Sequence, residues 1–172
     1  MRAIEEAFWP GLLWPWLWRL RQPVSSLRLL ARGRPSASVY TQGMPDRSKD
    51  WFSQAIRDLE QAKDSLLAGR HEWACFAAHQ AAEKAVKALH LCLGQEAWGH
   101  VIAQLLRELP PAALPPKDLI ERAKVLDNFY ISTRYPNAHP DGAPYEHYGS
   151  IQSEQALEHA SAILDFVRSK MA

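Results

Sequence analysis

The sequence has few of the features that stabilise small secreted domains or build metal sites. It contains two cysteines, Cys75 and Cys92, with no CxxC pair and no spaced His/Cys cluster typical of zinc. The two cysteines are seventeen residues apart in one predicted helix, a rise of roughly 25 Å. A disulfide tolerates a Cα separation of about 7 Å. We therefore expect two reduced core thiols, no metal, no other cofactor and a cytoplasmic location.

The sequence also lacks strand periodicity and an uninterrupted apolar run. No segment alternates apolar and polar residues over the length of a strand, which argues against β structure. The segment from Ala7 to Trp18 holds four of the seven tryptophans, but two prolines and a glycine interrupt it. It is shorter than the about 20 residues that span a bilayer, and it follows Glu5 and Glu6 rather than basic residues. The sequence therefore predicts neither a membrane span nor export.

Charge is nearly balanced over the chain but unevenly distributed. Residues 1–43 carry six Arg against two Glu, a net charge of +4, and the remaining 129 residues carry 14 basic and 17 acidic groups, a net charge of −3. We interpret residues 1–43 as a Trp- and Arg-rich N-terminal extension. It is either a disordered arm that touches RNA or a membrane surface, or an artefact of start-site assignment, because the folded pattern begins directly after Met44.

From Pro45 onward, apolar residues recur at the spacing of amphipathic helices. The short Gly69–His71 connection makes the first two helices antiparallel. We expect an all-α fold over residues 44–172, a four- to five-helix, mostly antiparallel bundle. The predicted helices run from the Asp46 or Ser48 cap to Gly69, from Glu72 to Leu93, from Gly99 to Leu109, from Lys117 to about Thr133, and from a Ser153 cap to the C-terminus.

The second predicted helix places polar residues among alanines. His79, Gln80 and Glu83 lie within the segment ACFAAHQAAEKAVKAL, and such groups need hydrogen-bond partners when they are buried. Two interpretations remain open for them. They are ordinary packing residues that bond to the next helix, or they support a site or a subunit interface.

A predicted loop of about 15 residues, YPNAHPDGAPYEHYG, follows Arg134 and carries the candidate chemistry. Arg134 and His139 are separated by four residues; a guanidinium can clamp a phosphate, and an imidazole can take or give a proton near neutral pH. The same segment offers further hydroxyl groups and an imidazole, on Tyr130, Thr133, Tyr145, His147 and Tyr148. On spacing alone, Arg134 equally suits a helix C-terminus and His139 a solvated loop.

Two segments, the HQAAEKAVKAL helix and the YISTRYPNAH turn, resemble the HEPN family found in prokaryotes and at the end of the ataxia protein sacsin. The resemblance covers nearly all of residues 44–170. It implies a helical bundle that forms a homodimer, often encoded beside a minimal nucleotidyltransferase in arrangements proposed to act as toxin and antitoxin.

Many HEPN members are metal-independent endoribonucleases whose motif is an Arg, four to six residues, and a His, and Arg134 and His139 match that spacing. One departure concerns regulation. In the branch whose tyrosine is modified by the partner transferase, that tyrosine lies two residues beyond the His, where this chain has Asp141. Tyr145 or Tyr148 would have to substitute.

The sequence leaves three functions open. The first is a toxin-like ribonuclease that acts on RNA as a homodimer, with catalytic Arg134 and His139 supported by Tyr130 or Tyr145. The second is a non-catalytic subunit of a nucleotidyltransferase that binds a nucleotide or phosphate through Arg134. The third is a purely structural interaction domain. Beyond that pair, the candidate supporting or binding residues are Tyr130, Thr133, Tyr145, His79 and Glu83.

Overall fold

The structure is a computed structural model that describes residues 46–172, and these residues form an all-α bundle, as predicted. The predicted extension, residues 1–43, lies outside the described part of the chain. No described residue is in a strand. The helices are α1 (Ser48–Leu67), α2 (His71–Cys92), α3 (Ile102–Arg107), α4 (Lys117–Asp127), α5 (Phe129–Ser132) and α6 (Ser150–Met171), with single 3₁₀ turns at Pro111–Ala113, Pro136–Ala138 and Pro144–Glu146.

A tight turn joins α1 to α2. Gly69 adopts a left-handed conformation, with φ of +70°, which a residue without a Cβ adopts at little cost. The Gly69 amide donates to the Leu66 carbonyl at 3.0 Å, and the Arg70 amide donates to the Ser65 carbonyl at 2.8 Å. This Schellman arrangement satisfies the last carbonyls of α1. Because α2 begins directly after it, the two helices are antiparallel.

Helix α2 lies at the centre of the bundle. Its buried residues include six alanines, and their small side chains let α1 and α6 pack closely on either side of it. The large buried side chains that fill the remaining core come mostly from α2, α3, α4 and α6: Val86, Leu89, Ile102, Leu105, Leu106, Leu126, Ile163 and Leu164. Polar side chains of α2 are therefore held at the centre of the bundle, where they can contact neighbouring elements.

Contacts between helix ends define the direction of α6. His71, at the start of α2, lies 2.9 Å from the Ser153 hydroxyl near the start of α6. At the other end, the Arg168 guanidinium lies 5.7 Å from the centre of the Phe52 ring on α1. Helices α2 and α6 therefore run in the same direction, and α1 is antiparallel to both. The mostly antiparallel bundle is confirmed, with α2 and α6 as its parallel pair.

The starts of α1 and α6 differ from the predicted caps. The N-cap position of α1 is Arg47, and the Asp46 carboxylate, one residue before it, accepts the Ser48 amide at 2.9 Å. The prediction that Ser153 caps α6 is wrong, because α6 begins at Ser150. The Gln152 side chain accepts the Gly149 amide at 3.0 Å and orders that entrance instead. Ser153 lies one turn further in, where its hydroxyl donates to the Gly149 and Ser150 carbonyls.

Two other helices differ from their predicted extent. Helix α3 begins at Ile102 rather than Gly99, because the Asp127 carboxylate caps the Ile102 and Ala103 amides at 2.6 and 3.1 Å. The predicted fourth helix is divided at Asn128 into α4 and the single turn α5. Burial raises the pKa of Asp127 above its ordinary value, although its amide hydrogen bonds act in the opposite direction.

Both cysteines lie in α2 and are free thiols, as expected. Cys75 is buried, and its burial raises the pKa of the thiol to about 12. The prediction that Cys92 is also in the core is wrong, because Cys92 is exposed. It ends α2 beside an open groove between the first residues of α1 and the last residues of α6. None of the helices between residues 46 and 172 has the length and apolar content needed to cross a membrane.

Candidate functional site

The candidate site begins at the carboxyl end of α5, where the helix stops before Pro136. The Thr133 hydroxyl is buried and donates to the Phe129 carbonyl at 2.6 Å. The Arg134 amide still bonds to the Ile131 carbonyl, at 3.0 Å. Thr133 therefore completes the helix end, and its hydroxyl is occupied within α5. Because the last carbonyls of a helix lack helical partners, they are available to the side chains that follow.

Arg134 folds back onto one of these carbonyls. Its Nε and Nη2 atoms donate to the Tyr130 carbonyl at 2.8 and 2.5 Å. Its Cζ atom lies 4.5 Å from the ring centre of Phe76, 4.7 Å from that of Tyr130 and 5.1 Å from that of Tyr135. We call Phe76, Tyr130, Arg134 and Tyr135 the arginine cluster. The three rings and the carbonyl orient the guanidinium, whose remaining N–H groups can serve an outside acceptor.

Tyr130 connects the arginine cluster to a polar network on α2. Its ring centre lies 5.1 Å from that of His79 and 4.6 Å from that of His100, and the His100 ring is stacked on it at 16°. His79 is fully buried. Burial, the largest effect, lowers the pKa of His79 to about 4, so this imidazole is neutral at pH 7. Its Nε2 donates to the His100 carbonyl at 3.1 Å.

Glu83 is a buried carboxylate in the same network. Burial acts to raise its pKa, but hydrogen bonds from Lys87 and His100 outweigh that effect and hold the pKa below its ordinary value. The Lys87 ammonium lies 2.9 Å from one carboxylate oxygen, and Nδ1 of His100 lies 3.1 Å from each oxygen. Glu83 is therefore charged at neutral pH and orients two cationic or donor groups from its buried position.

His139 belongs to a separate group of side chains. Its Nε2 donates to the Ser132 carbonyl at 2.7 Å. Its ring stacks on that of His147 at 4.0 Å and 2°, and it meets the ring of Tyr148 edge-on at 5.9 Å. The Tyr148 hydroxyl donates to the Ser132 hydroxyl at 2.7 Å, and burial raises the pKa of Tyr148. We call Ser132, His139, His147 and Tyr148 the histidine cluster.

The structure thus brings some predicted residues together and separates others. Arg134 and Tyr130 meet in the arginine cluster. His79 adjoins it directly, through the Tyr130 ring, and Glu83 adjoins it through His100. The side-chain hydrogen bond and ring contacts of His139 involve none of the residues of the arginine cluster. Tyr145 is 66% exposed and lies in neither cluster.

Several residues of the two clusters and their surroundings were not predicted as site residues. Phe76 lies within the second predicted helix and Tyr135 begins the predicted loop, and neither was singled out. His147 was noted without a role. His100 was missed entirely, since it is thirty residues from Tyr130 in the sequence and no local motif marks it. Only the packing of the α2–α3 turn against α5 brings it to the site.

The described side chains offer no metal site. In residues 46–172, no three or more His, Cys, Asp or Glu side chains are grouped so that they could hold a metal ion.

Fold and site together define a class: an all-α domain built around an alanine-rich central helix, with an arginine site at the end of a second helix. A family model of the HEPN domain matches residues 48–170. The chain belongs to the HEPN family. No curated protein matches it.

Among the solved structures similar to this chain are three that are 36% to 53% identical to it. TT1696 from Thermus thermophilus is 53% identical, with a TM-score of 0.72, and the match covers 73% of this chain and 98% of that one. ST0689, an archaeal HEPN homologue, is 40% identical, with a TM-score of 0.64 and coverage of 73% and 98%. The HEPN domain protein TM0613 from Thermotoga maritima is 36% identical, with a TM-score of 0.56 and coverage of 70% and 95%.

Proposed function

We propose that this HEPN domain binds a nucleoside phosphate through Arg134. The observation that carries the proposal is the arginine cluster, in which three aromatic rings and one carbonyl orient a single guanidinium. A guanidinium pairs with phosphate oxygens through directed N–H groups. Tyr135 is 51% exposed beside it and offers a ring face on which a nucleobase can stack. The cluster therefore suits both halves of a nucleotide.

The proposed setting is a cytoplasmic homodimer that serves as the binding subunit of a minimal nucleotidyltransferase. Membership of the HEPN family supports the homodimer and the transferase partner, since both are what the resemblance implies. The two free thiols, Cys75 and Cys92, support a reducing compartment.

Titration calorimetry with 5′-AMP tests the binding proposal on the full chain. We expect Arg134→Gln to weaken binding roughly 10- to 100-fold, the usual effect of losing a hydrogen bond to a charged group. Arg122→Gln is the matched control, because Arg122 is also partly buried but pairs with Glu158 at 2.7 Å on another face of the bundle. Equal losses in both variants, or no binding by the wild type, would refute the proposal.

A second candidate function is metal-independent cleavage of RNA by the homodimer, with Arg134 holding the scissile phosphate and His139 transferring a proton. The observation that favours it is the His139 hydrogen bond, because donation from Nε2 to the Ser132 carbonyl leaves Nδ1 to accept a proton. In that reaction the 2′-hydroxyl loses its proton and attacks the phosphorus atom, and the 5′-oxygen leaves with a proton.

RNA cleavage in excess chelator separates the two candidates. The ribonuclease predicts products ending in 2′,3′-cyclic phosphate, formed by the wild type but not by His139→Ala or Arg134→Ala. If the wild type binds 5′-AMP and leaves RNA intact while both variants remain folded, the binding function stands alone.

A further inference from the structure

We infer that His100, held in place by Glu83, recognises the ribose of the bound nucleotide by accepting a hydrogen bond from its 2′-hydroxyl. The inference rests on the proposed nucleotide binding and specifies its substrate class as ribonucleotides. Four observations on the position, orientation, exposure and support of the His100 imidazole carry it.

His100 lies next to the arginine cluster, because both contact Tyr130. Its ring stacks on Tyr130 with centres 4.6 Å apart, and the Arg134 Cζ atom lies 4.7 Å from the same ring centre. One tyrosine therefore carries both groups. We expect a ligand whose phosphate lies on Arg134 to extend its sugar along this ring toward the imidazole.

The orientation of the imidazole is set by Glu83. Because Nδ1 lies 3.1 Å from both oxygens of a charged carboxylate, Nδ1 carries a proton. In its neutral form the ring then presents Nε2 as an unprotonated acceptor. No described residue hydrogen-bonds to Nε2, and the His100 side chain is 53% exposed. A ribose hydroxyl is a donor of the kind that this nitrogen lacks.

The support beneath His100 is rigid. The His100 carbonyl accepts a hydrogen bond from the buried His79 imidazole at 3.1 Å. Just beyond it along the chain, the amides of Ile102 and Ala103 donate to the Asp127 carboxylate. Glu83 is in turn held by Lys87 at 2.9 Å. Since these groups are fixed before any ligand arrives, little conformational entropy is lost when the imidazole makes its contact. Glu83 is thus a positioning residue that acts through His100.

A purely structural role for the Glu83–His100 pair would tether the turn before α3 without contacting ligand. The two roles differ in one measurable property, the preference for ribose over deoxyribose. The test therefore compares 5′-AMP with 2′-deoxy-5′-AMP by titration calorimetry, using the full-length wild type and His100→Phe. Phenylalanine keeps a ring to stack on Tyr130 and removes Nε2.

We expect the wild type to bind 5′-AMP roughly 3- to 10-fold more tightly than the deoxynucleotide, the usual effect of one neutral hydrogen bond. His100→Phe should bind both nucleotides equally, at about the wild-type affinity for the deoxynucleotide. If the wild type shows no preference, or if the variant retains it, the inference is overturned while Arg134 binding stands. If the wild type binds neither nucleotide, the proposed function and the inference fall together.

A second measurement has its main result in the wild type alone, so that result does not depend on the folding of a variant. In long-range proton–nitrogen NMR spectra of the wild type, 5′-AMP should move one imidazole acceptor resonance that the deoxynucleotide leaves in place. Glu83→Gln should reduce this response by loosening the ring. Identical spectral changes with both nucleotides would count against ribose recognition by any histidine of the chain.

Discussion

The arginine cluster and the histidine cluster start from the same single turn of helix but depend on different parts of the molecule. Arg134 bonds to the Tyr130 carbonyl and packs against Phe76 of α2. His139 bonds to the Ser132 carbonyl and packs against His147 and Tyr148 of its own loop. The bundle core therefore positions the arginine, whereas the loop positions the histidine. Substitutions should affect these two parts separately.

The largest expected effect is on stability at acid pH, because the arginine cluster packs against the buried His79 imidazole through Tyr130. The pKa of His79 is lowered from 6.5 to about 4 in the folded chain, so the unfolded chain binds the extra proton first. Stability is fully present above pH 6.5 and is lost as the pH falls toward 4, by about 2 to 3 kcal/mol. Urea unfolding at pH 7 and pH 4.5 should show about 2 kcal/mol more loss for the wild type than for His79→Gln.

Other groups shape the same curves but are common to both proteins. His159, whose pKa is lowered by burial and by Arg122, acts in the same direction as His79. Asp127, whose pKa burial raises, acts in the opposite direction. Parallel curves for the wild type and His79→Gln would mean that the arginine side does not depend on a neutral imidazole.

Tyr130→Leu should have the next largest effect, a loss of stability in the arginine cluster. Leucine fills part of the space but removes the ring that contacts His79, His100 and Arg134. Aromatic pairs of this kind contribute roughly 0.5–1.5 kcal/mol each beyond area burial, so we expect a loss of about 2 kcal/mol in urea unfolding. The affinity for 5′-AMP should fall as well. Unchanged affinity in the folded variant would show that Tyr130 is only a packing residue.

Tyr148→Phe is the smallest change and the matched test on the histidine side. It removes the hydroxyl that donates to Ser132 at 2.7 Å and keeps the ring that meets Phe129 and His139. We expect a loss of about 1 kcal/mol in unfolding free energy with no change in 5′-AMP affinity. A weaker affinity would contradict the separation of the two clusters.

Much of the fold could be predicted from the sequence, because an amphipathic helix shows a regular spacing of apolar residues over a short segment. The period of apolar residues located the long helices, and Gly69 marked the first turn. The errors are at helix ends whose position is set by a side chain other than the predicted cap. Asp127 shortens α3 from 25 residues away, and Gln152 rather than Ser153 orders the entrance to α6.

The site could be predicted only in part, for a related reason. Arg134 and His139 were found from their spacing, but spacing does not reveal that each turns back to a different carbonyl of α5. The approach of Phe76 and His100 to Tyr130 depends on how α2 and the turn before α3 pack against α5. Such contacts between distant segments leave no periodic pattern in the sequence.

The different exposure of the two cysteines allows transient opening of the helical bundle to be followed by thiol modification. A thiol reacts as the thiolate, and Cys75, buried with a pKa of about 12, is almost never in that form while α2 is packed. Cys92 is exposed and available at once. A thiol reagent should therefore modify one site rapidly and the other only as often as the centre of the bundle opens. The slow phase of that reaction would measure the opening of the native chain without any engineered probe.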